Sequence, residues 1–144
     1  MTTSRSTVMH TNTSVLTAHG VDLGNIELPD MEIPTLTANQ RQGDVLLLKV
    51  TTTRGGTPLG KGVIVVRSEI NSGNTHSLVG DGLWEPNARA ADAEELVQGW
   101  LTVPEGGEAF LIHTEEHSAL GIGPGTYEVR RQREYAGEWQ RVAD

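Results

Sequence analysis

The sequence predicts an all-β fold: a single small β-barrel or sandwich, such as a jelly roll, with one short helix and an extended N-terminal arm. Turn-forming residues recur roughly every 8–15 positions and separate about eight short strand segments, which is typical of sandwiches and small barrels. The 17 Gly and 6 Pro among 144 residues fit many turns better than a helical bundle. Aromatic residues make up only 4% of the chain.

The strand segments follow one another from residue 45 to the C-terminal region. The clearest is 62–69, which begins at a glycine and is rich in β-branched residues. The predicted strands are 45–50, 62–69, 75–79, 83–85, 100–103, 108–112, 126–135 and 139–142, and a further strand is expected to start at His117. The predicted helix covers residues 86–98, with Asn87 as its cap and an apolar face made mostly of alanine.

Composition and charge exclude several classes of function. The net charge of −8 disfavours binding to the phosphate backbone of nucleic acid. The absence of cysteine removes disulfides, thiolate nucleophiles and cysteine-ligated zinc. No apolar run reaches the roughly 18 residues of a membrane span, and the first residues lack a signal-peptide core. We therefore expect no nucleic acid and no membrane as partners, and a cytoplasmic protein.

Residues 1–40 differ in composition from residues 41–144, which form the predicted β-domain. The first segment is rich in Thr and Ser, and Pro29 and Pro34 favour extended backbone over helix. It is either a disordered leader or an arm that docks on its own domain, a neighbouring copy or another protein, most simply by strand addition. Its predicted assembly residues are Ile26, Leu28, Ile33 and Leu36.

Histidines near two carboxylates suggest a metal site. His113 and His117 flank a Thr-Glu-Glu turn between two predicted strands, and His76 on another strand is the third candidate. Three imidazoles, or two with a carboxylate, suit Zn, Fe, Ni or Mn. The alternative is that these histidines are solvated or packed in the core. The candidate metal ligands are His76, His113, His117 and Glu116.

A cluster of arginines in the strand 126–135 suggests a second kind of site. Arg131 and Arg133 share one face of this strand, and arginine forks bind carboxylate or phosphate groups bidentately. The alternative is a solvated face that pairs with acidic residues.

No catalytic residue can be assigned, because the chain has no nucleophile motif, phosphate loop or dinucleotide-binding glycine pattern.

Three motifs carry a resemblance to a family of small, uncharacterised bacterial and phage proteins. They are Arg41-Gln42-Gly43-Asp44-Val45, His113-x-x-Glu116-His117-x-x-Leu120 and Gly125-x-Tyr127-x-Val129-x-Arg131-Gln132-Arg133-Glu134-Tyr135. Members often carry Gly-His-x-His where this chain has Gly73-Asn74-Thr75-His76, so Asn74 stands in place of a potential ligand. The histidine and carboxylate motif is also similar to that of cupins, which are metal-binding β-barrels, and this resemblance implies that the predicted barrel is cupin-like.

Two functions follow as expectations. The first is a non-enzymatic interaction or structural module, anchored through its arm in a larger assembly such as a phage or phage-like particle. Its partner is then another protein or a further copy of the chain, and the protein is a virion component if phage-encoded. The second is a metal-dependent, cupin-type enzyme that uses the histidine cluster. A third, less supported reading is a small-molecule ligand site at Arg131, Arg133 and Asn74.

Overall fold

The computed structural model of this chain describes residues 10–18, 32–52, 54–66, 75–92, 94–113 and 118–132. Within these ranges the chain is built almost wholly of strands, so the predicted all-β class is confirmed. The strands form two facing sheets, a sandwich and not a closed barrel. The elements are β1 (His10–Thr11), α1 (Asn12–Ala18), β2 (Glu32–Ile33), β3 (Thr35–Leu36), β4 (Gln40–Gln42), β5 (Val45–Val50), β6 (Thr57–Pro58), β7 (Val63–Val66), β8 (His76–Gly80), β9 (Leu83–Pro86), β10 (Val97–Val103), β11 (Ala109–His113), β12 (Ser118–Ile122) and β13 (Gly125–Arg131).

The two sheets have six and five strands. The six-stranded sheet has the order β4-β5-β13-β10-β9-β6, and the five-stranded sheet has the order β3-β12-β11-β8-β7. Neighbouring strands in both sheets are antiparallel, except that β3 runs parallel to β12. Strands β1 and β2 form a separate antiparallel pair.

Across the described ranges, no helix has the length and apolar character needed to span a bilayer.

The main core lies between the two sheets. Alternate residues of each strand point inward, as the period of two in a β-strand requires. Tyr127 is fully buried there, and its hydroxyl donates to the carbonyl of Gly123 at 2.9 Å. The buried apolar residues of this core are Val45, Leu47, Leu59, Val65, Leu78, Trp84, Leu101, Val103, Ala109, Leu111, Ile122, Tyr127 and Val129.

A second apolar cluster lies on the outer face of the five-stranded sheet, where α1 covers it. Thr11 and Ser14 cap this helix reciprocally: each backbone N–H donates to the other residue's hydroxyl, at 2.9 and 3.0 Å. The described parts of the arm therefore pack on the chain's own sheet. The buried residues of this cluster are Val15, Leu16, Ile33, Val79, Phe110, Ile112 and Ala119.

The predicted helix at residues 86–98 is wrong. Residues 88–91 and 94 form turns and residue 92 a bend, and the N–H of Ala90 donates to the carbonyl of Asn87 at 2.9 Å. The Asn87 amide donates to the Val97 carbonyl at 2.9 Å, which closes the connection from β9 to β10. The mostly alanine face offers little apolar surface to bury, so helix packing cannot compete with this connection.

Most of the predicted strands are present, with shifted ends. Strand β10 begins at Val97, three residues before the predicted start, and the short strands β3, β4 and β6 were not predicted. Strand β11 ends at His113 as expected, and β12 is described from Ser118. The predicted strand 139–142 lies outside the described residues, as does the end of 126–135 beyond residue 132.

Candidate functional site

One end of the interior of the sandwich is polar, and the five-stranded sheet contributes two histidines to it. His76 on β8 and His113 on β11 are direct cross-strand partners, so their side chains lie on the same face of the sheet. Leu111, two residues before His113, belongs to the core between the sheets. Both imidazoles therefore point inward, at the end where β11 finishes.

The six-stranded sheet contributes an amide and a guanidinium group to the same end. Gln42 on β4 pairs with Val45 on β5, and Val45 pairs in turn with Arg131 on β13. Val45 is fully buried between the sheets, so Gln42 and Arg131 begin on the inward face as well. Gln42 is buried and Arg131 is half-buried.

The two imidazole rings stack face to face. Their centroids lie 4.4 Å apart and their planes are within 8° of parallel. His76 is 1% exposed and His113 is 2% exposed, so both rings are shielded from bulk water. Full burial identifies them as interior residues, and the expectation of solvated surface histidines does not apply to this pair.

Gln42 fixes the orientation of His76. Its amide Nε2 donates to the carbonyl of Leu111 at 2.9 Å, which leaves Oε1 facing Nδ1 of His76 at 2.9 Å. Because Oε1 can only accept, the proton of this hydrogen bond lies on Nδ1 of His76. In the neutral ring the lone pair then lies on Nε2, the atom that would bind a metal or accept a proton.

The turn after β4 covers the His76 ring and is tied to β13. A Cβ placed on Gly43, whose φ is +56°, would lie 3.5 Å from Cε1 of His76. Arg41 donates from Nε to the Gly43 carbonyl at 3.1 Å, and its guanidinium also donates to the side-chain oxygen of Gln132. The N–H of Gln132 donates to the carbonyl of Asp44 at 2.7 Å. Residues from all three sequence motifs thus meet at this end.

The structure brings together some of the predicted site residues and leaves others untested. His76 and His113 are adjacent, and Arg131 faces the same end of the interior. Ile33 is buried against the outer face of the five-stranded sheet, whereas Leu36 is 41% exposed on the edge strand β3. The predicted residues that lie outside the described ranges are Ile26, Leu28, Asn74, Glu116, His117 and Arg133.

The stacked arrangement limits how the two imidazoles could share a metal ion. A ring nitrogen binds a metal along its lone pair, in the plane of the ring and at about 2 Å. Two parallel stacked planes have no common point, so one ring must rotate before both nitrogens reach the same ion. Among the residues that the structure describes, no group of three or more His, Cys, Asp or Glu side chains could hold a metal.

Gln42 was missed as a site residue by the sequence reasoning, although it lies in the first motif. A glutamine at the third residue of a short edge strand carries no periodic signal of its own. Its role becomes visible only when the register places it beside Val45, on the inward face. Ser118, the cross-strand partner of His113 on β12, was missed for the same reason.

Comparison with known proteins gives a family for this chain. No curated protein and no solved structure matches it. The family described as Domain of unknown function (DUF8820) matches residues 41–132, well over half of the 144 residues. The match begins at Arg41 and ends at Gln132, the two residues that are hydrogen-bonded at the polar end. The chain belongs to this uncharacterised family, DUF8820.

Proposed function

We propose that the protein is a non-enzymatic structural or interaction module, anchored in a larger assembly, such as a phage or phage-like particle, through the arm of residues 1–40. The observation that supports this most is the docking of the described arm segments on the five-stranded sheet. The arm lies wholly outside the matched family region. A docking segment outside the family region is the part of such a chain best suited to assembly.

The arm joins the sheet by strand addition. Thr35 of β3 pairs with Gly121 of β12, and the N–H of Gly123 donates to the carbonyl of Leu36 at 2.8 Å. The Thr35 hydroxyl also donates to the Glu108 carboxylate at 2.8 Å. A Cβ on Gly121 would lie 2.7 Å from the Pro34 carbonyl, so the sheet edge accepts the arm backbone only because this residue is glycine.

Apolar contacts complete the docking. Val15 and Leu16 of α1 and Ile33 of β2 are buried against the outer face of the sheet. Only residues 37–39 separate β3 from β4, the first strand of the family domain. The same strand addition and apolar contacts would form if the arm came from a neighbouring copy, and short hinge segments favour exchange of this kind.

The test compares the full chain with a variant that lacks residues 1–38. Light scattering coupled to size exclusion should show assembly of the full chain and a folded monomer for the truncated one. A synthetic peptide of residues 10–36 should bind the truncated protein in calorimetry, because the emptied face retains Val79, Phe110 and Ile112. A truncated protein that assembles to the same mass as the full chain would rule the proposal out, as would a full chain that stays monomeric at every concentration.

A second candidate function is a metal-dependent enzyme of the cupin type. The observation in its favour is the adjacency of His76 and His113, together with the hydrogen bond from His76 to Gln42 that directs the Nε2 lone pair away from the amide. In metal sites, a hydrogen bond from the ring nitrogen that does not bind the metal fixes the orientation of the histidine. The proposed ligands are His76, His113, His117 and Glu116, of which the last two lie outside the described residues.

Metal analysis of the purified protein tests this second function. A stoichiometric transition metal that is lost in a His76→Gln variant, and retained in a variant of the arm histidine, His10→Gln, would support it. Absence of binding when Zn, Fe, Ni and Mn salts are titrated into the protein would exclude it. The two functions are separable, because truncating the arm leaves the imidazole pair in place.

A further inference from the structure

Strand β7 forms an open edge of the five-stranded sheet. In the part of the chain that the structure describes, it pairs on one side only, with β8. Its four residues, Val63–Val66, are all β-branched and uncharged. Among the described residues, the exposed large hydrophobic side chains are Ile64 of this strand, at 48%, and Leu36, at 41%. An edge of this kind offers its backbone N–H and C=O groups to any strand that can pair with them.

The other three edges of the two sheets are each blocked. Strand β6 has two residues and ends in Pro58, which has no N–H to donate. Strand β4 has three polar residues with the charged Arg41 at its centre. Strand β3 has two residues and directly follows Pro34. Short length, proline and charge are devices that keep sheet edges from pairing with other chains, and β7 has none of the three.

The exposed isoleucine lies in the regular part of β7. Ile64 pairs with Ser77, and the register shifts only between Ile64 and Val66, so the bulge affects the second half of the strand. Ser77 is also the partner of Ile112, which belongs to the apolar cluster on the outer face of the sheet. Ile64 therefore points to the outer face, whereas Val65 is buried in the main core.

We propose that β7 pairs in antiparallel fashion with β7 of a second copy of this chain, about a two-fold axis at Ile64. An axis perpendicular to the sheet keeps the inner and outer faces of the two copies aligned, so Ile64 meets its counterpart on the outer face. The partner must itself offer an unblocked, uncharged strand edge, and of the four edges only β7 does. Such a contact is isologous and closes on a dimer.

This contact is separate from the docking of the arm. The arm joins the five-stranded sheet through β3, which is the opposite edge from β7. Two strands of four residues form an interface below the roughly 1,200 Å² of a stable complex, so the dimer forms only at high protein concentration. The net charge of −8 on each copy also opposes it, and salt should strengthen it. In dilute light scattering, a chain without its arm therefore remains a monomer.

The absence of cysteine from the chain makes the contact testable by cross-linking, because one introduced thiol reports on one position. Directly opposite residues of an antiparallel pair have Cβ atoms about 4.5–5.5 Å apart, close enough for a disulfide after a small shift. In a glutathione redox buffer, full-length Ile64→Cys should form disulfide-linked dimers whose yield saturates with protein concentration. Leu36→Cys is the matched control, since Leu36 is also exposed but lies on the opposite edge. Its dimer yield should be at least about tenfold lower, because its thiols meet only by random collision.

Hydrogen exchange of the full chain gives a second readout that needs no thiol. The amides of β7 should exchange more slowly at high protein concentration than at low concentration. Ile64→Lys should abolish this difference and Leu36→Lys should keep it, although both substitutions change the net charge equally. Thermal unfolding of each variant shows that it is folded.

Three results would overturn the contact. They are equal dimer yields for the two cysteine variants, exchange in β7 that does not depend on concentration, and a concentration dependence that survives Ile64→Lys. Failure of the arm to support assembly would change none of these readouts. The contact through β7 and the function proposed for the arm are therefore tested separately.

Discussion

Arg41 and Gln132 lie 91 positions apart in sequence, yet their side chains are joined by a hydrogen bond. They are also the first and last residues of the matched family region. The bond connects the edge strand β4 to the end of β13, across the intervening β5. The first and last residues of the family region thus contact each other at the polar end of the sandwich. The arm precedes this region and takes no part in the contact.

Removal of the Gln42 amide should destabilise the fold. In Gln42→Met, Nδ1 of His76 and the carbonyl of Leu111 both lose their hydrogen-bond partner in a buried place. Each such loss costs about 1–3 kcal/mol, so the free energy of unfolding should fall by about 2–6 kcal/mol in urea titrations. The exposed Gln132→Met should cost less than about 1 kcal/mol. Equal losses for the two variants would contradict the buried role of Gln42.

Substitution by alanine should lower the melting temperature at Gly99 but not at Gly55. A Cβ on Gly99 would lie 2.5 Å from the Trp84 ring and 2.6 Å from the Glu85 carbonyl, whereas Gly55 has nothing within 4 Å. Overpacking of this kind costs about 1–3 kcal/mol or more, so Gly99→Ala should lower the melting temperature. Gly55→Ala should leave it unchanged or raise it slightly, because alanine reduces the entropy of the unfolded chain. A neutral Gly99→Ala would show that β9 and β10 are farther apart than described.

The Arg54 side chain should contribute modestly to stability. It stacks 3.6 Å above the Trp100 ring and contacts the Glu85 carboxylate at 2.7 and 3.2 Å. The pair is partly exposed, at 27% and 37%, so solvent screens it and Arg54→Met should cost only about 1 kcal/mol. Arg89→Met, at a pair that is 72% and 53% exposed, should have no measurable effect. High salt should reduce the Arg54 effect, and a salt-independent loss would assign it to packing on Trp100 alone.

Truncation of Leu16 should loosen the arm without unfolding the family domain. Leu16 is fully buried, whereas Leu36 is 41% exposed. Burial of a leucine side chain contributes about 2 kcal/mol or more to docking. In Leu16→Ala the amides of α1 should therefore exchange hydrogen at least about tenfold faster, while those of β10 and β13 keep their protection. Leu36→Ala should leave α1 unchanged. Equal acceleration in both variants would mean that Leu16 does not hold the helix.

The strands were predictable because their signal is local. The segment Val45–Val50 is apolar and follows a Gly-Asp turn, and Ala109–His113 ends at a histidine before a polar stretch of sequence. Residues 86–98 misled the prediction, because an alanine-rich segment has helix propensity but little surface to pack. The true helix, α1, has only seven residues and depends on the cap at Thr11 and on burial of Val15 and Leu16.

The site was predictable only in part. His76 and His113 were grouped by residue type, and the register of β8 with β11 places them directly opposite each other. The inward positions of Gln42 and Arg131 depend on which strands pair with β5, and this is not encoded in any local window. The stacking of the rings is likewise a consequence of tertiary packing.

The most direct test of the polar end is the protonation of His76, read from long-range ¹H–¹⁵N correlations in ligand-free protein near neutral pH. Oε1 of Gln42 accepts from this ring, so Nδ1 of His76 should carry the proton and Nε2 should not. In Gln42→Met this preference should weaken or disappear. A wild-type spectrum with the proton on Nε2 alone would contradict the hydrogen bond by which Gln42 fixes the orientation of His76 at the polar end.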